Sequence, residues 1–151
     1  MSEVFFYHLT QTRPEVALPK ILERALSADW SVELRIGLEV DVEPISEAIW
    51  KGPDDSFLPH CLADNEKLKE HPIVLCTSPL TEPRDCLVII NQAELQKNEL
   101  KNFKRICFLF DSKNELELKN AREVWKKLST AQVETVYWAE DNGKWKKNSQ
   151  K

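Results

Sequence analysis

Two short runs, Cys86-Leu-Val-Ile-Ile90 and Arg105-Ile-Cys-Phe-Leu-Phe110, limit this chain's fold more than anything else in it. Successive side chains of a strand point to opposite faces of its sheet. A run that is apolar at nearly every position therefore has to be covered on both faces, which is the situation of a central parallel strand. Ile73-Val-Leu-Cys76 is a briefer run of the same kind. Two stretches carry helical spacing instead: Val16, Ile21, Leu22, Ala25 and Leu26 behind Pro14, and Leu116, Ala121, Val124 and Leu128 behind Ser112. Strands alternating with helices predict an α/β domain around a mostly parallel sheet. The expected single domain spans residues 1–147, with 148–151 frayed.

The remaining elements follow from punctuation. Val4–Leu9 is aromatic and β-branched and reads as a first strand. Pro14 is placed to open the first helix, although Pro19 is expected in the first turn, which a start later than Pro14 would allow. Val32–Val40 alternates and reads as a strand, and Pro44 opens a short helix, Ile45–Trp50. Asp54–Ala63 reads as mostly irregular, and residues 91–102 as polar with a helical turn or two. Ser112 followed by Glu115 is a candidate capping box. Val133–Trp138 forms a last strand, Asp141-Asn-Gly143 a turn, and Lys144–Lys147 folds back.

Most chemistry is unsupported. The net charge of −4 gives no overall field for strong nucleic-acid binding. No apolar run approaches the roughly 18–20 residues that span a bilayer, and the N-terminal residues do not resemble a signal peptide. A cytoplasmic protein is expected. Cys61, Cys76, Cys86 and Cys107 contain no Cys-x-x-Cys pair, so buried reduced thiols are expected and no metal. Gly37, Gly52 and Gly143 are the only glycines. None opens a helix after a strand, so no phosphate loop is present and no cofactor is expected. His8, His60 and His71 are scattered. Asp111 or Asp41 could serve a degenerate α/β hydrolase or nucleotide-binding protein, although Asp111 also suits a polar helix entry. No reactive group is seen beside an activating partner.

Two features suit protein partners. Trp50 and Phe57 stand among Gly52, Pro53, Pro59, Asp54 and Asp55, on a segment that is either a core plug or a contact surface. On the late helix, Lys119, Arg122 and Lys126 recur at spacings of three and four, with Trp125 beside them. Such a face suits an acidic peptide ending in an apolar residue. The same residues also suit a solvated face with Trp125 tucked into the core.

Several blocks, in order, resemble the chi subunit family of bacterial DNA polymerase III. They are Trp50 with Ser56-Phe-Leu-Pro-His60, Asp85-Cys-Leu-Val-Ile-Ile-Asn91, Ala121-Arg-Glu-Val-Trp-Lys126 and Tyr137-Trp-Ala-Glu-Asp-Asn-Gly-Lys-Trp145. Residues 64–85 carry no matching block. The resemblance implies a Rossmann-like sheet without a phosphate loop and a non-catalytic adaptor with two surfaces. Trp50, Phe57, Leu58, Pro59 and His60 would bind a psi-like clamp-loader subunit or a helicase-like repair protein. Arg122, Trp125 and Lys126 would bind the acidic, Phe-ending tail of single-stranded DNA-binding protein. Trp125 replaces a Tyr expected there. A further basic position falls near Leu118, with Lys119 as its expected substitute.

Overall fold

A computed structural model of the chain describes residues 3–10, 14–37, 45–47, 49, 60–62, 72–77, 84–90, 93, 95, 100, 102–130, 134–141 and 144–148. The strands are β1 (Glu3–Leu9), β2 (Val32–Ile36), β3 (His60–Leu62), β4 (Ile73–Cys76), β5 (Cys86–Ile90), β6 (Arg105–Asp111), β7 (Glu134–Asp141) and β8 (Lys144–Asn148). They form one open sheet in the order β3-β4-β2-β5-β6-β1-β7-β8. Among the described strands every neighbouring pair from β3 to β7 is parallel, and only β8 runs antiparallel, folded back on β7. The α/β reading therefore holds, as does the Lys144 fold-back. β8 reaches Asn148, one residue into the expected frayed end.

Helix α1 (Pro14–Ser27) and helix α2 (Glu115–Thr130) pack on opposite faces of the sheet. The pleat sorts the strand residues between them. Tyr7, Val88 and Cys107 join Leu18, Ile21, Leu22 and Ala25 of α1. Val4, Phe6, Leu87, Ile89 and Phe108 join Ala121 and Leu128 of α2. Central strands apolar at every position are the consequence, as the runs at 86–90 and 105–110 require.

α1 starts at Pro14, and Pro19 lies inside it rather than in the first turn. The helix ends in a Schellman arrangement. Trp30 N–H donates to the Ala25 carbonyl (3.0 Å) and Asp29 N–H to that of Leu26 (2.9 Å). Asp29 takes the left-handed position at φ 60°, where glycine is the usual occupant. At the head of α2 the cap is Asn114, not Ser112. Its Oδ1 accepts from the N–H groups of Leu116 (3.0 Å) and Glu117 (3.2 Å). Leu116 is not a core contact. It is 67% exposed, because it stands five residues before Ala121, about 140° round the helix.

The segment Asp54–Ala63, read as mostly irregular, contains the short edge strand β3, where His60–Leu62 pairs with β4. β2 alternates in polarity but not in burial. Glu33 and Arg35 are both buried and form an ion pair at 2.6 Å. The Cys76 thiol lies 3.5 Å from the same Glu33 oxygen, and burial together with that carboxylate pushes it up to about 12. Cys76, Cys86 and Cys107 are buried free thiols, as expected.

Candidate functional site

The strand order reverses between β6 and β1. The chain leaves β1 toward β2 on one side and leaves β6 toward β7 on the other. Crevices at such reversals are where open α/β sheets usually take phosphorylated ligands. Here the carboxyl ends are laced together. Ser112 N–H donates to the Leu9 carbonyl (2.9 Å), Lys113 N–H to Asp111 Oδ1 (2.9 Å), and Asp111 N–H to Glu117 Oε1 (3.2 Å). Asp111 thus serves the entry to α2. The first turn of α2 has its amides on Asn114 and carries Glu115 and Glu117, an arrangement that repels a phosphate instead of cradling it. Among the described residues no three His, Cys, Asp or Glu side chains cluster to hold a metal. Asp41, the other acid considered, lies outside the described residues.

An opening lies beside α2 instead. It is a cleft of about 450 Å³ with Leu118, Ala121, Arg122, Trp125 and Lys126 on its helical wall. Those positions follow the i, i+3, i+4, i+7, i+8 spacing of one helix face. Phe6 and His8 of β1, Phe110 of β6 and Tyr137 of β7 form the other side. The rings pack edge to face: Trp125 against Phe6 at 5.0 Å and against Tyr137 at 5.6 Å. Trp125 is half-buried, neither a core plug nor a free surface ring, while Arg122 and Lys126 are exposed. Neither cation has an ion-pair partner among the described residues. The result is an aromatic recess with two available positive charges at its rim.

Lys119 is exposed but does not line the cleft. It stands one residue, about 100°, past Leu118. Leu118 therefore occupies the position where a basic residue was expected. Trp50, Phe57, Leu58 and Pro59 lie outside the described residues. So does the His60 side chain, whose backbone belongs to β3.

His8 and Tyr137 are cleft residues that the sequence reading did not select. The His8 Nδ1 and the Tyr137 hydroxyl are 2.6 Å apart, and the His8 ring stacks on Phe110 at 4.9 Å. Burial, and then the Arg122 charge, hold His8 below the ordinary histidine range. Burial raises the Tyr137 phenol, against an opposing pull from Arg122. At neutral pH both groups are uncharged. The available signal was the alternation in β1, which sets Phe6 and His8 on one face.

The family model for the DNA polymerase III chi subunit, HolC, matches residues 1–135. The chain belongs to the chi subunit family of DNA polymerase III. Membership makes it a replication subunit of that polymerase. No curated protein matches the chain. The matched span contains β1 and all of this chi-family protein's α2, and it stops two residues before Tyr137. Among the described residues, no helix is long and apolar enough to cross a membrane.

Proposed function

We propose that this chi-family subunit is a non-catalytic, cytoplasmic adaptor. It ties the DNA polymerase III clamp loader, through a psi-like subunit, to the acidic tail of single-stranded DNA-binding protein, without binding nucleic acid strongly itself. The observation that carries the tail-binding half is the cleft beside α2. Arg122 and Lys126, which have no ion-pair partner among the described residues, stand at its rim, and Phe6, Trp125 and Tyr137 offer an aromatic recess behind them. A peptide with several carboxylates and a terminal phenylalanine matches both parts.

The partner-subunit half rests on family membership and on the Trp50, Phe57, Leu58, Pro59 and His60 block, with a helicase-like repair protein as the other candidate occupant. Its one described element, β3, is five strand positions from β1, or about 24 Å at the usual spacing between strands. A separation of that order between β3 and β1 suits simultaneous capture of both partners.

Each tail contact is expected to be micromolar, about 8 kcal/mol, with several tails on a coated strand raising the effective concentration. Calorimetric titration with a synthetic peptide carrying several aspartates and a C-terminal phenylalanine tests the reading. Binding should weaken with added salt, and Arg122→Ala should cost roughly 1–3 kcal/mol of affinity. An unchanged affinity in Arg122→Ala would remove the cleft from the account.

A further inference from the structure

We propose that His8 is a charge-responsive element of the cleft. An acidic peptide seated on Arg122 and Lys126 draws a proton onto the His8 ring, so the cleft holds carboxylates more tightly in mildly acidic than in neutral solution. This inference rests on the tail-binding reading and adds a pH dependence to it.

The geometry carries it. His8 sits on the cleft's strand side, between Phe110 and Tyr137. Its Nε2 is shut off from solvent and has no hydrogen-bond partner among the described residues. Among the described residues, the groups facing it are few. β7 presents the Tyr137 phenol; α2 presents Arg122, with Lys126 on the same wall; and β6 presents the Phe110 ring. In the empty cleft two things oppose a charge on the ring: lost solvation and the positive Arg122. A peptide carboxylate on Arg122 offsets the second and supplies attraction of its own. It adds little to the first, because Nε2 is already out of water. Binding and protonation therefore favour each other, and the coupling is reciprocal.

The sign follows. If the bound midpoint of His8 lies above the free one, affinity is highest below the free midpoint. It falls as pH rises through the bound midpoint, where His8 must lose its proton. Peptide aspartates stay ionised from pH 6 to 8, so the change belongs to the protein.

The test measures the His8 ring resonances by NMR against pH, without and with saturating peptide, using His8→Gln to assign them. Calorimetry with the same peptide at pH 6 and pH 8 accompanies it. The expected result is a higher midpoint in the complex, with roughly three- to tenfold tighter binding at pH 6, and a loss of that ratio in His8→Gln. A midpoint that is unchanged or lower in the complex overturns the inference and leaves tail binding standing. So does an equal pH ratio in His8→Gln. Absence of peptide binding at both pH values overturns both.

Discussion

The two faces of the sheet are covered by helices of similar length to different effect. α1 sinks Leu18, Ile21, Leu22 and Ala25 into its face, and the margin is stapled as well. Arg105 lies 4.2 Å from the Phe5 ring centroid and 5.0 Å from that of Trp30, and pairs with Glu3 at 2.5 Å. The opening between Phe5, Arg24, Trp30 and Arg105 there is about 60 Å³. α2 buries only Ala121 and Leu128 among its apolar side chains, and leaves Leu118, Val124 and Trp125 partly covered. The strip it fails to cover, over β1 and β7, is the cleft of about 450 Å³. A helix that buries less of itself leaves apolar sheet surface exposed beside its own charges. That combination is what recognition of a charged, apolar-ended peptide needs, and a better-packed α2 would not provide it.

Mutations should separate the faces. The largest effect is expected from Leu22→Ala, which opens a void in the sealed layer and should cost about 2–5 kcal/mol of stability by urea denaturation. The folded fraction should bind peptide as before. Trp125→Ala should do the reverse. Its stability loss should be smaller than that of Leu22→Ala, because the ring is already half in solvent. Its loss of peptide affinity should be about 2 kcal/mol by calorimetry. If Trp125→Ala unfolds the protein as readily as Leu22→Ala, the contrast between a structural and a binding face fails. The smallest effect tunes α1 alone. Asp29→Gly places the preferred residue at the left-handed cap and should add about 0.5–1 kcal/mol of stability, leaving peptide binding untouched.

The sheet's centre was legible because its signal is local. The bounds of β4 and β5 coincide with their apolar runs, and β6 extends only one residue beyond its run. β3 was missed because three residues, His60–Leu62, are too few to show a period. The burial of Glu33 and Arg35 was also hidden, since each satisfies the other two residues along the same strand, and alternation ordinarily marks a wet face. The site divides in the same way. Arg122, Trp125 and Lys126 lie within five residues of one helix, so their common face can be counted off the sequence. Phe6, His8, Phe110 and Tyr137 meet because β1 lies between β6 and β7. That is a fact of topology between residues more than a hundred positions apart, and no periodicity carries it.

The central claim is that the cleft beside α2 takes an acidic peptide with an aromatic end. Mapping of backbone amide shifts by NMR during peptide titration tests it most directly. The account predicts perturbations concentrated at His8, Leu118, Arg122, Trp125 and Tyr137, with Phe5, Trp30 and Arg105 on the opposite face unmoved. Shifts centred on the α1 face, or spread evenly over both, would contradict it.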